Sequence, residues 1–388
     1  MLSLFSSAAR WRDSLILLAL FAVTRAAIVI IGALAVTTIP PVEGEQYTHL
    51  LDGGAALDMW YRWDAGFYTS IATYGYDWQT EERPADDMAF MPLYPLAIRA
   101  VSGLTLEGCA LSPYYSTCTT IGGVIVSNAA LLGATFLLFD LVRRRFDRAT
   151  AWRASILLLV SPISVYLSGL YTESPFLFLT LLAFLLLDRD KFALAIIPAA
   201  LACLTRSVGV AFYPALLWIA WQSPRDKRPL RLLLAHIPPL VFAGYILLAG
   251  ASVSDPLAYF KTYESTWGRA PGSPIEAFTV YFSGESVSLF GWELSWIDLI
   301  LTLAYLALAL IVLRRDRAWG LFALVALLVP IASGTLVSMP RYGAALFPFY
   351  ALIAAWANVL WRMLLTYGAS IGLGLLFLTR FVTWRWIA

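Results

Sequence analysis

An all-α protein that crosses the bilayer many times is the fold class this sequence predicts, and three observations carry it. Hydrophobic residues fill 60% of the 388 positions and charged residues only 13%, against roughly 25% charged in soluble domains. The mean hydropathy is +0.74, and the apolar residues gather into long runs broken by short charged or Gly/Pro-rich stretches. The basic residues recur at alternate breaks rather than at all of them. A chain with so little polar surface finds its natural solvent in lipid, where helices satisfy their own backbone groups.

The runs at 14–36, 119–139, 152–168, 174–187, 191–205, 208–221, 231–250, 294–313, 318–333, 343–360 and 364–379 predict about eleven spans, within a range of about 9 to 12. Several fall short of the ~20 residues that a perpendicular helix needs, and 191–221 reads as two short spans or as one broken hairpin. The first run is too long for a signal h-region and ends without a small-residue cleavage pattern, so it is expected to remain as a span. Two long polar segments rich in Trp, Tyr and Phe separate the runs, Thr37–Cys118 and Ala251–Glu293. Such segments suit amphipathic helices lying in the headgroup layer. They divide the chain into an expected first module, 1–250, containing the loop 37–118, and a second, 251–388, containing the loop 251–293.

Orientation follows from Lys and Arg placement. Arg10 and Arg12, the cluster Arg143, Arg144, Arg145 and Arg148, the pair Arg189 and Lys191, the group Arg225, Lys227, Arg228 and Arg231, and the group Arg314, Arg315 and Arg317 all fall on one side. That side is expected to be cytoplasmic. Only the last span breaks the pattern, by putting Arg380 and Arg385 opposite. The net charge of +2 excludes a broad nucleic-acid footprint. No internal repeat is visible, which weighs against an inverted-repeat transporter. Of the three cysteines, Cys203 lies in a predicted span, while Cys109 and Cys118 sit together on the non-cytoplasmic side. There a disulfide and two separate thiols both remain open. No spacing of Cys and His suits a metal, and His49 and His236 stand alone, His236 as a structural residue.

The densest polar and aromatic stretch is Trp60–Arg99, which holds Asp64, Asp77, Glu81, Glu82, Asp86 and Asp87. Glu81, Glu82 and Asp86 lie in a hydrophilic run and read as a solvated loop. Asp64 is set among Trp63, Ala65, Gly66 and Phe67, with Tyr61, Tyr68 and Ile71 close in sequence. A carboxylate in apolar company is a better base toward a hydroxyl. Gly66 leaves room for a ligand or another backbone to approach. Arg25, near the middle of the first span, costs about 2.5–3.5 kcal/mol on insertion scales, so it is expected to face the interior, paired with Glu173 or Asp298 or binding a substrate phosphate.

The segment WDAGFYTSIATYGY followed by AFMPLYP resembles the PIG-V family, the GPI second mannosyltransferases and their prokaryotic homologues. Trp63, Asp64, Ala65, Phe67, Ile71, Ala72, Gly75, Tyr76, Ala89, Phe90, Pro92 and Pro95 match its pattern, with Gly66 where the family has His and Met91 where it has Phe. Three later blocks resemble the family in the same order: SPISVYLSGLYTESPF with Glu173, LTRSVG with Arg206, and MPRYGAALFPFYA with Arg341 and Tyr342. The resemblance implies a GT-C glycosyltransferase fold, a polyprenyl- or dolichyl-phosphate-mannose donor, and an acidic catalytic base in the first non-cytoplasmic loop, where Asp64 lies. It also implies one inverting displacement without a metal or other cofactor.

Physical reasoning adds what such a site needs. The acceptor hydroxyl must lose its proton to one carboxylate, whereas a covalent retaining route needs two close ones, for which Asp64 and Asp87 are available by spacing. The departing phosphate gains charge, so a fixed cation, preferably Arg with its planar fork, must face it. The candidates are Arg206 and Arg341, with Lys261 and Arg269 in the second long loop, each weighed against an interfacial side chain snorkelling to headgroups. Trp63, Asp87, Glu173, Tyr342 and Arg25 complete the expected substrate-binding set. A glycolipid or glycan is the expected acceptor, the bilayer the surroundings, and a monomer the expected state. The expected location is a prokaryotic plasma membrane or the endoplasmic reticulum of a eukaryote. A transporter or flippase of a lipid-linked sugar is the competing class.

Overall fold

The computed structural model describes residues 2–42, 51, 53–76, 86–105, 117–270, 272–292 and 294–387. His49, Asp77, Glu81, Glu82 and Cys109 lie outside these residues. Among the described residues every regular element is a helix. The long first helix α1 (Leu2–Thr38) leads into a loop carrying α2 (Ala55–Asp58), α3 (Ala65–Tyr74), a 3-10 turn at Asp86–Ala89 and α4 (Leu93–Thr105). The chain then runs through α5 (Thr117–Arg145), α6 (Arg148–Leu159), α7 (Ser164–Ser168), α8 (Glu173–Asp188) and α9 (Phe192–Cys203). A 3-10 turn at Ser207–Ala211 opens α10 (Phe212–Trp221), followed by α11 (Arg228–Ala235) and α12 (Ile237–Ser252). The second loop holds α13 (Ala258–Trp267), α14 (Glu276–Thr279) and a 3-10 turn at Val280–Phe282. The chain closes with α15 (Trp296–Arg315), α16 (Arg317–Ile331), α17 (Met339–Ala344), α18 (Phe347–Trp356) and α19 (Leu360–Val382).

Five of these stretches are long and apolar enough to cross a bilayer: Trp11–Thr38, Thr117–Arg145, Arg228–Ser252, Trp296–Arg315 and Leu360–Val382. Four shorter apolar helices accompany them: Phe192–Cys203, Ser207–Trp221, Arg317–Ile331 and Phe347–Trp356. Each apolar run read from the sequence is thus helical, though several are broken. The run at 152–168 splits into α6 and α7 because Pro162 brings no N–H and its ring blocks a continuous helix. The carbonyls this releases are taken up by neighbours, as buried backbone in lipid requires. Leu159 O accepts from Arg25 Nη2 at 2.5 Å and Val160 O from Ser370 Oγ at 2.7 Å. Arg25 also donates to Ser168 Oγ. Its expected partners Glu173 and Asp298 are therefore not its partners: the guanidinium is spent on a broken helix, whose freed carbonyl lies at its own depth.

The basic clusters converge at one end of the bundle. Asp13 pairs with Arg148, Asp140 with Arg143, Arg144 and Arg189, Arg145 with Asp188 and Asp316, and Asp190 with Lys227 and Arg231. Arg143–Arg145 and Arg314–Arg315 occupy last helical turns, where cations suit the helix dipole. Asp147 and Asp316 cap α6 and α16 at the same end by accepting Thr150 and Trp319 N–H. Helix α8 starts at Glu173 and ends in this cluster, and α16 starts in it and ends at Ile331. Both long loops therefore gather at the opposite end. In the core, Phe184, Phe212, Phe322 and Phe347 stack α8, α10, α16 and α18 together.

Candidate active site

At the end opposite the basic clusters the loops and helix termini enclose a cavity of about 500 Å³. Asp64 enters it from the start of α3, Arg206 from the break between α9 and the following 3-10 turn, and Arg341 from α17. The break is possible because residue 209 is glycine: a Cβ there would lie 2.6 Å from the Cys203 backbone. Asp64 is the residue preceding α3, yet its side chain makes no capping bond. It turns to Arg341 instead, with Nη1 3.1 Å from Oδ2. Arg341 Nε in turn lies 3.0 Å from Glu173 Oε1, and Arg206 Nη1 lies 2.6 Å from that same oxygen. Arg206 also donates to Thr172 Oγ1 at 3.1 Å.

Four of the residues expected from sequence thus form one charged chain, Asp64–Arg341–Glu173–Arg206. Glu173 is fully buried behind it, the two arginines are about nine-tenths buried, and the Asp64 side chain is 26% exposed. The Arg341 guanidinium rests on Tyr166 and Tyr171 at 4.7 and 4.8 Å from the ring centroids. Tyr342 lines the cavity with Arg206 over its ring at 4.9 Å and Arg269 near it at 6.0 Å. Burial pushes the Tyr68 phenol up, so in the cavity wall it stays protonated and serves as a donor.

Asp64 directly follows a strained residue, and Arg341 comes three positions after another. Trp63 has φ 54° and Ser338 φ 67°, a left-handed conformation that costs a non-glycine residue about 1–3 kcal/mol. Trp63 does not line the cavity. It packs against Trp292, Trp384 and Trp386 at 6.2, 5.4 and 5.3 Å, and Trp292 and Trp386 form the wall. A Cβ at Gly66 would meet only Tyr61 Oη, at 3.5 Å, an ordinary van der Waals contact.

Other expected residues stand apart. Lys261 is exposed on α13 and pairs with Asp255 at 2.7 Å. The opposite end of α13 is what reaches the cavity, through Tyr263, Trp267 and then Arg269. Asp87 lies in the 3-10 turn at Asp86–Ala89 and not on the cavity wall, which the following residues Ala89, Phe90 and Met91 supply. Arg25 is held at the broken helix. Cys118 is disulfide-bonded and Cys203 is free, while the other cysteine of the expected pair, Cys109, lies outside the described residues. The sequence did not point to Trp386, Ser338 or Thr172. Only the positions of Arg380 and Arg385 on the far side hinted that the C-terminal segment reaches this end. Arg380 there donates to Trp386 O at 2.9 Å.

The family profile for Mannosyltransferase (PIG-V) matches residues 21–273, about two thirds of the chain. The chain belongs to the PIG-V mannosyltransferase family. Among curated relatives of this PIG-V protein, GPI mannosyltransferase 2 of Cryptococcus neoformans is 32% identical over 154 residues, 38% of this chain and 34% of that one. GPI alpha-1,6-mannosyltransferase 2 of Rattus norvegicus is 28% identical over 237 residues, 59% of this chain and 44% of that one. The match thus spans less than half the length of either relative. The apo crystal structure of the Archaeoglobus fulgidus oligosaccharyltransferase aligns over 92% of this chain and 56% of that one, with 13% identity and a TM-score of 0.44.

Proposed function

We propose that this protein transfers mannose from a polyprenyl- or dolichyl-phosphate-mannose donor to a hydroxyl of a glycolipid or glycan acceptor. The reaction is a single inverting displacement at the non-cytoplasmic face, within a GT-C-type fold. The observation that carries the reading is the contact of Asp64 with Arg341 in a cavity at the end opposite the basic clusters. Arg341 engages Oδ2 and leaves Oδ1 without a hydrogen-bond partner among the described residues. A partly exposed carboxylate with one oxygen fixed and the other open is placed to take the proton of an attacking hydroxyl. The same cavity holds buried guanidiniums for the phosphate that departs. Asp87 is off the wall, Glu173 is sealed behind two arginines, and Glu285 lies exposed among the lining residues. That arrangement favours one displacement over a covalent route with two close carboxylates.

Asp64→Asn tests the reading. It keeps the shape and removes the base. Transfer from polyprenyl-phosphate mannose in proteoliposomes should fall by about a thousandfold, within the span usual for a lost general base, while the protein still expresses and binds polyprenyl phosphate. Near-normal transfer by the variant would reject Asp64 as the base. Movement of the lipid-linked sugar without a new glycosidic bond would favour a transporter.

A further inference from the structure

The charges around the cavity balance unevenly. Arg206 and Arg341 share Glu173, and Arg341 also holds Asp64, so two cations and two carboxylates close a neutral network. Arg269 is outside it. Its residue exposure is only 8% and it lines the same cavity. Nη1 donates to Ser333 Oγ at 3.3 Å and Nη2 to Val337 O at 2.6 Å, both neutral acceptors. Among the described residues no carboxylate lies within ion-pair distance of it. Asp298, buried on α15, is near enough for the Arg269 charge to act on it but makes no ion pair with it, and Glu285 is exposed. A buried guanidinium without a directly paired carboxylate is costly. A phosphate ester supplies that charge in the geometry an arginine fork prefers.

The surroundings suit such a group. Gly268, next to Arg269, and Gly334, near Ala270, adopt φ 59° and 78°, and a Cβ would meet nothing within 4 Å at Gly268 and only Ala270 O, at 3.9 Å, at Gly334. Thr335, Ser338 and Tyr342 bring hydroxyls to the same wall, and Tyr342 has Arg206 at 4.9 Å and Arg269 at 6.0 Å from its ring. The contacts run in one order, from Asp64 through Arg341, Glu173 and Arg206 to Tyr342 and Arg269. In that order Arg269 is the cation furthest along the contacts from Asp64.

Resting on the donor reading above, we propose that Arg269, with Arg206 beside the same Tyr342 ring, holds the phosphate of the lipid-linked donor, while Arg341 serves to orient Asp64. The second long loop therefore supplies the donor-phosphate contact, and the first supplies the base.

The test uses the full chain in detergent micelles, with undecaprenyl phosphate as the probe. Arg269→Gln should weaken its binding, and raise the KM for polyprenyl-phosphate mannose, by about 10- to 100-fold, the usual range for a lost charge-assisted contact. Arg269→Lys should recover part of the loss. Binding by Arg269→Gln within twofold of wild type overturns the proposal. If that variant loses its melting transition, Arg269→Lys decides: a loss of about fivefold supports the assignment, because a point charge replaces a fork, and unchanged affinity overturns it. Inorganic phosphate forms the second arm. Wild-type affinity for it equal to that for undecaprenyl phosphate overturns the lipid headgroup as the source. Wild type that transfers mannose normally while Arg269→Gln does too overturns this inference and leaves the donor reading standing. Wild type that binds undecaprenyl phosphate through Arg269 yet transfers no mannose does the reverse.

Discussion

At the scale of single residues, Glu173 has the greatest leverage. One of its oxygens receives both Arg206 and Arg341, and it is fully buried. Removing one partner of a buried pair costs about 3–5 kcal/mol because the other charge stays behind, and here two guanidiniums would stay. Glu173→Gln is expected to lower the melting temperature in detergent by several degrees and transfer by more than a hundredfold. A variant as stable and active as wild type would show that the arginines do not depend on it. Part of this was legible in the sequence. Asp64 stood out as a carboxylate in apolar company, Arg206 and Arg341 as cations to face a phosphate, and all three with Glu173 lay in blocks resembling one family. What the residues could not say was who pairs with whom, since Arg341 meets a carboxylate 168 positions away, and such a contact depends on how helices cross. Arg25 shows the same limit: the cost of burying it was readable, while its partner was a carbonyl set free by a proline on another helix.

At the scale of elements, Asp64, the proposed base, sits on a loop that the C-terminal segment fixes from behind. Arg62, two positions before Asp64, is 1% exposed. It donates to Asp58 Oδ2 at 2.7 Å and, through Nε, to Val382 O at 3.1 Å, and its guanidinium lies 5.0 Å from the Trp384 ring. From the other side Tyr171 donates to Arg62 O at 2.8 Å while supporting Arg341. Arg62→Met is expected to shift the loop and lower kcat by about a hundredfold, the scale of a 1 Å misplacement. Undecaprenyl phosphate binding should stay within threefold, because the arginines of the cavity are untouched. Loss of both together would mean that Arg62 merely holds the fold. No periodicity or motif marks this anchor, since the tail that completes it follows the last apolar run and reads as an ordinary interfacial aromatic stretch.

At the scale of the whole molecule, the two ends of the bundle differ in kind. One is laced with exposed arginine–aspartate pairs, and the other carries the long loops and the cavity. The first kind of end stays cytoplasmic in most membrane proteins, because Lys and Arg near span ends resist translocation. On the function proposed above, the cavity opens on the non-cytoplasmic side, where a lipid-linked sugar would present its phosphate. This polarity was the most legible feature of the chain: the basic residues at alternate breaks marked it, and their ion pairs in the structure bring them to one end. Two exposed positions test which face is which. Ser283 lies in the loop at the cavity end and Gln222 in the turn after α10 at the basic end. In sealed cells or vesicles of known orientation, a membrane-impermeant maleimide should label Ser283→Cys from the non-cytoplasmic side and reach Gln222→Cys only after permeabilisation. Cys203 is buried and should stay silent in both variants. The opposite pattern would move Asp64 and its arginines to the cytosol, where a donor and acceptor displayed on the far leaflet could not reach them.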